Sequence, residues 1–205
     1  MKKISTLAAL PLAILLAQPT AWAAGEDTYA DFKAMMDGSF KTTGIAPKHR
    51  MYQLDFQKAC SQEKQPAKEV MAKIEAEQMK TIRYPADGKY FGDWKQGEKI
   101  ALSGRGLTWT DKTPDNNGGG CYNCHQMSHH EVSYGTIGTS LLEYGKNRGA
   151  SDDVVKYTWG KIYNAKAFNA CSHMPRNGDA EILTEQQIKH LMAFLFDPAS
   201  PVNKK

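Results

Sequence analysis

The sequence predicts an all-α fold. Three observations carry that expectation. Apolar residues recur at helical spacing in several segments bounded by caps and chain breakers. A complete capping-box pattern, Thr184-Glu185-Gln186-Gln187, opens the last of these segments. Between two of them lies the run Cys121-Tyr122-Asn123-Cys124-His125, two cysteines separated by two residues and followed directly by histidine.

Taken in order, residues 1–23 read as a secretory signal. Lys2 and Lys3 precede an apolar stretch, Leu7 to Ala17, and Ala21-Trp22-Ala23 has the A-x-A form of a cleavage site. The apolar run is about ten residues, short of the roughly 20 that a spanning helix needs, and Gln18-Pro19 interrupts it. The expectation is an exported, soluble protein of the periplasm with no membrane insertion. Without Lys2 and Lys3, the mature chain carries 24 basic and 22 acidic residues. That near-balance argues against a nucleic-acid-binding surface or electrostatic membrane adhesion.

Residues 24–92 form a lysine- and glutamate-rich stretch with too few apolar residues for a core of its own. It reads as a helical N-terminal extension, packed on the following domain or on a partner. Thr28 to Met36 predicts a short helix ended by Asp37-Gly38. Pro66 to Arg83 predicts a longer one, with Val70, Met71, Ile74, Met79 and Ile82 near helical spacing. Pro85-Ala86-Asp87-Gly88 then breaks the chain.

Residues 93–205 read as the main domain. Asp93 is an N-cap residue for an amphipathic helix to Leu102, closed by Ser103-Gly104-Arg105-Gly106. Asp115 to Gly120 predicts a flexible loop delivering Cys121. Val154, Val155, Trp159 and Ile162 share one face of a helix over residues 151–163. Ile188, Leu191, Met192 and Leu195 stripe the helix that follows the capping box, which Asp197-Pro198 ends.

The Cys-x-x-Cys-His run is the attachment pattern of a c-type haem. Each thiol can add across a vinyl group to give a thioether, and the adjacent histidine is placed to ligate iron. Cys-x-x-Cys alone also fits a redox dithiol or half a zinc site. The chain has no second such pair to complete a four-ligand cage, and the histidine follows directly. Cys121, Cys124 and His125 are therefore the candidate residues for one covalently attached haem c. Cys60 and Cys171 remain, and an even remainder in an exported protein suggests a disulfide. The competing reading is two unpaired thiols, one of them at a subunit interface.

A glycine-bearing helix before Cys-x-x-Cys-His and an aromatic-bearing C-terminal helix after Met174-Pro175 resemble a class I cytochrome c. The resemblance implies that the first and last helices cross closely, with Gly97 at the approach and Phe194 or Phe196 packed there. It also implies that Met174 supplies the sixth iron ligand. Met127, His129, His130, His190 and Met192 are the other nearby candidates, and His173 is the main competitor of Met174. His129 and His130 are expected at the exposed end of a haem-binding helix, and His190 on a solvated face. In class I cytochromes a Gly-Pro pair follows, and the proline carbonyl accepts the imidazole Nδ1–H. Here Thr139 stands in the proline's place, which keeps the carbonyl and puts the loop's rigidity in doubt.

The runs Gly135 to Leu141, Tyr144 to Gly149, Gly160 to Cys171 and Leu183 to Asn203 resemble the SoxX family of small cytochromes. The resemblance covers residues 121–203 and carries little of the extension. It implies a heterodimer with a SoxA-like cytochrome subunit, of the L-cysteine S-thiosulfotransferase type. Together they would join thiosulfate to a cysteine of a SoxYZ-like carrier, with electrons leaving to a soluble cytochrome c. On that reading the catalytic site lies in the partner, and none of this chain's residues is catalytic. A free-standing electron carrier is the alternative, and a haem enzyme or gas sensor with a displaceable sixth ligand is another.

Overall fold

A computed structural model describes residues 26–204. The expected signal segment lies outside the described residues. The described residues are helical, with one isolated antiparallel bridge, Thr43 to Ala46, and no strand among them. The chain divides into two compact units, one up to Phe40 and one from Lys41 onward.

The first unit contains α1, Glu26–Ser39. The helix continues through Asp37-Gly38 instead of ending there, and Met36 accepts from the Phe40 N–H at 3.1 Å. A glycine in an exposed helix costs about 1 kcal/mol, too little to terminate one. Tyr29, Phe32 and Met35 are exposed.

The second unit is built from α2 (Asp55–Cys60), α3 (Lys68–Met79), α4 (Trp94–Leu102), α5 (Tyr144–Arg148), α6 (Asp152–Tyr163) and α7 (Glu185–Phe196). Helix α7 is the centre of the core. Ile188, Leu191, Met192, Phe194 and Leu195 are all buried on it, each worth about 1.5–3 kcal/mol of apolar burial. Its capping box forms as the sequence predicts. Thr184 accepts from the Gln187 N–H at 3.2 Å, and the Gln187 side chain accepts from the Thr184 N–H at 2.9 Å. A cap contributes about 1 kcal/mol, so burial holds this helix and the cap places its start.

Helix α4 crosses α7 at Gly97. A Cβ there would run into the His190 carbonyl and come within 2.7 Å of the Phe194 Cβ. Only a residue without a side chain allows this approach. Phe194, not Phe196, therefore sits at the crossing. The start of α4 is capped by Asp93, whose carboxylate accepts from the Lys95 N–H at 2.9 Å. The Asp93 N–H in turn donates to His190 Nδ1 at 2.8 Å. His190 is half-buried and part of the crossing, which corrects its expected place on a solvated face.

Residues 41–92 belong to the same compact unit as α4–α7. They pack on the segment that leads to Met174. Cys60 and Cys171 form a disulfide, across a sequence separation of 111. The Ala170 N–H donates to Glu75 at 3.0 Å, and the Asn164 amide donates to Gln78 and Thr81, both at 2.9 Å. The fully buried Trp159 donates its indole N–H to the Arg83 carbonyl at 2.8 Å. The α3 strap thus satisfies polar groups of α6 and of the turn after it that burial would leave without partners.

Candidate functional site

The stretch that delivers Cys121 is pinned, not flexible. Gly118, Gly119 and Gly120 donate their N–H groups to Arg105, Ile100 and Ser103 at 2.7–2.8 Å, zipping the loop onto the end of α4. The buried Asn117 side chain accepts from the Leu107 N–H at 3.1 Å and donates to the Ile182 carbonyl at 2.8 Å. Gln187 of α7 donates to the Asn117 carbonyl at 2.8 Å. The glycines that suggested mobility serve close backbone approach instead, and the position of Cys121 is set by α4 and α7 together.

From Cys121 the backbone makes a single 3-10 turn, Cys121–Asn123, and the His125 N–H donates to the Cys121 carbonyl at 2.9 Å. This puts the Cys121 and His125 side chains on one side. The chain does not continue as a helix, so the expected haem-binding helix is replaced by this turn. His129 and His130 are exposed on the loop beyond it. The Tyr122, Cys124 and Gln126 carbonyls then accept from the Gly135, Gly138 and Leu141 N–H groups at 2.7–2.9 Å, docking the two stretches edge to edge.

That docking positions His125. Its Nδ1 lies 2.6 Å from the Thr139 carbonyl oxygen. A carbonyl can only accept, so Nδ1 carries the proton and Nε2 keeps its lone pair. Gly138 lies flat against the ring, and a Cβ there would be 2.7 Å from Nε2 and closer still to other ring atoms. The imidazole is thus held at one edge and one face.

His125 opens onto a cavity whose empty space, counted out to the solvent at its mouth, is about 810 Å³. Cys121, His125 and Met174 all line it, from three separate stretches of sequence. Met127 lines it too, buried in the core. His173 is exposed and lines a neighbouring groove, so of the adjacent pair it is Met174 that faces the cavity. Met192 is fully buried in the α7 stripe and does not line it. Cys124 is half-buried, a free thiol like Cys121, beside the cavity and not among its lining residues. Burial pushes the Cys121 thiol up to about 12, so it is held neutral.

Several lining residues are not visible in sequence patterns. Tyr144 donates to Thr158 at 2.8 Å, whose own hydroxyl donates to the Val154 carbonyl at 2.7 Å. Arg148 and Lys161 are the lining side chains that carry fixed positive charge, and burial lowers the Lys161 ammonium from its ordinary value. Asn177 is buried, and its Oδ1 has no hydrogen-bond partner. A buried amide without a partner needs one from whatever fills the cavity. Its place three residues after Met174, in a loop otherwise read only for its methionine, was the available signal. The apolar walls, the two cations and the cradled imidazole together fit a large apolar group with anionic edges and a histidine-bound centre. A haem has that chemistry.

Among the described residues, no helix is long and apolar enough to cross a membrane. No family model matches the chain. Over 152 residues, 73% of this chain and 72% of the relative, it is 39% identical to an uncharacterized lipoprotein of Aquifex aeolicus (strain VF5). The chain belongs to the family of that lipoprotein.

Proposed function

We propose that this chain is a periplasmic monohaem c-type cytochrome of the class I type, the electron-transfer subunit of a SoxAX-type complex. One observation carries the haem reading: His125 gives its Nδ1–H to Thr139 and faces, with Cys121 and Met174, a single cavity. Cys121 and Cys124 would hold the haem through thioethers, and His125 and Met174 would ligate its iron. A bound haem supplies a one-electron couple at the iron. Thr139 keeps the imidazole in one tautomer and raises its donor strength. The Met174 thioether is neutral and soft, which favours the ferrous state over what bis-histidine ligation would give. The apolar walls keep water from the iron's surroundings.

With His125 and Met174 both ligating the iron, no site on it would be left for a substrate, so this chain would pass electrons and the catalytic site would lie elsewhere. Bond-forming chemistry on thiosulfate and on a SoxYZ-like cysteine would belong to a SoxA-like partner. Electrons would leave to a soluble cytochrome c. The SoxX resemblance over residues 121–203 supports this place in a complex, and the name of the Aquifex relative, a lipoprotein, is compatible with export.

Two measurements test the two levels separately. The exported protein, produced with its haem-attachment machinery, is expected to show one c-type haem in its pyridine haemochrome spectrum and to lose it in Cys121→Ser/Cys124→Ser. A protein purified without haem overturns the cofactor. Isolation from its native host is expected to bring down a larger c-type cytochrome. A haem-loaded chain that is always alone overturns the subunit reading and leaves a free carrier.

A further inference from the structure

Next to the disulfide, a polar groove opens to solvent between α2 and the loop that carries Met174. Its donors come from both sides: Gln57 and Ser61 from α2 and its end, Lys166 and Arg176 from the loop region. Among the described residues, no carboxylate lines it. Lys166 Nζ lies 5.9 Å and Arg176 Cζ 5.0 Å from the centroid of the same Phe56 ring. Arg176 is paired with Asp179, while Lys166 donates to the Ser172 carbonyl. One carboxylate therefore answers two cations.

The pairing is electrostatically unfavourable as it stands. The Lys166 ammonium is lowered from its ordinary value, first by burial and then by the charge of Arg176. Phe56 lends both cations its ring face. That does not neutralise a charge. The missing component is a second negative charge. On the α2 side, the Gln57 oxygen is already held by the Leu54 N–H at 2.8 Å, which turns the amide NH2 to the other side. The groove thus offers charged and neutral donors around an uncompensated cation.

We propose that this groove is a binding site for a small doubly charged oxyanion of the sulfate or phosphate class, held between Lys166 and Arg176 with Gln57 donating from α2. Such an ion is acceptor-only and charge-dense, which suits a wall whose charged groups, Lys166 and Arg176, are both donors. The site stands independently of the haem reading, because no residue of the haem cavity except Met174 touches the groove. An anion there would tie α2 to the methionine loop beside the disulfide.

The test is calorimetric titration of the mature, disulfide-intact protein with sodium sulfate and, in a parallel arm, sodium phosphate. Ionic strength is held constant with chloride. Saturable heat for either oxyanion is expected, together with a rise in thermal midpoint that chloride does not give. Response to both, or to one alone, supports the site and identifies the preferred ion. Lys166→Gln is expected to weaken binding roughly tenfold, as for loss of one charge-assisted hydrogen bond. In oxyanion-free buffer its thermal midpoint is expected to equal or exceed that of the wild type, because the repulsion with Arg176 is gone. A purely structural lysine would lower it. Gln57→Met, which leaves every charge in place, is a second variant expected to weaken binding. No saturable binding of either ion overturns the proposal. So does an equal response to chloride, unchanged affinity in both variants, or binding of poly-glutamate without binding of sulfate or phosphate.

Discussion

The His125 imidazole donates its Nδ1 proton to the carbonyl oxygen of Thr139, 2.6 Å away, while Gly138 fills the space against the ring face. The bond uses the backbone of residue 139, so its side chain is free to vary, and a threonine serves where class I cytochromes have proline. What cannot vary is the residue before it. Gly138→Ala would place a methyl group inside the imidazole's van der Waals surface, forcing the ring or the loop to move. A loss of about 1–3 kcal/mol is expected, the usual cost of overpacking. Denaturant midpoints check it, and Thr139→Ala is the control that should stay within about 0.5 kcal/mol.

Gly97→Ala sets two effects against each other. Alanine favours a helix by about 1 kcal/mol over glycine, but its Cβ would strike the His190 carbonyl and Phe194. Both contacts belong to the core crossing, where neither backbone can give without unpacking α7. Net destabilisation of about 1–3 kcal/mol is therefore expected, read from chemical denaturation. A stabilised variant would mean that α4 and α7 do not meet at this residue.

Met174→Ala leaves the cavity without its thioether. In the haem-loaded protein, the weak sulfur-to-iron absorption band at the red end of the visible spectrum is expected to disappear, with Cys121 and Cys124 attachment unchanged. Absence of that band from the wild-type protein would remove Met174 from the ligand set and return His173 to contention.

The Cys60–Cys171 disulfide closes a loop spanning 111 residues of sequence separation and fastens the chain three residues before Met174. Chain-entropy arguments give about 4.7 kcal/mol for a loop of roughly this length, and native strain erodes such values. Cys60→Ser/Cys171→Ser is expected to lose about 2–5 kcal/mol. Thiol titration of the unreduced, denatured holoprotein should find neither of these cysteines reactive, and two reactive thiols would contradict the bridge.

The ion pair of Lys189 with Asp87 and Glu185 gives stability a pH dependence with a definite sign. Asp87 is held below its ordinary 3.8, first by the Lys89 N–H and then by Lys189. Its contribution is full above that value and is lost as pH falls through the lowered pKa. Lys189 is raised above 10.5, first by its hydrogen bond to Glu185. Its contribution is full below 10.5 and is lost as pH rises through the raised pKa. Asp87→Asn should lower the neutral plateau, where this contribution is full, match the wild type at the acid end and so flatten the acid limb, as measured by denaturation at several pH values.

The helices were legible because the forces that make them are local. The stripe of α7 and its Thr184 to Gln187 box name the same element, and Gly97 pointed to the crossing because a glycine in a helix has a cost that close packing explains. The loop before Cys121 was misread for a related reason. Three consecutive glycines look mobile in isolation, and the carbonyls of Ile100, Ser103 and Arg105 that hold them belong to another element. His190 looked solvated on its own helix because its partner, the Asp93 N–H, lies 97 residues away in sequence.

Sequence alone determined the helical segments α1, α3, α4, α6 and α7, the Cys-x-x-Cys-His pattern of Cys121, Cys124 and His125, and the short list of candidate ligands. Each depends on periodicity, capping or spacing within a few residues. Only the tertiary structure decided that Met174 rather than His173 faces the cavity with His125. It also decided that Asn177 leaves an unpaired oxygen there, and that Cys60 pairs with Cys171 beside a groove holding two cations. Those facts depend on which distant segments bury against one another, and that is settled by closing long loops around a shared core.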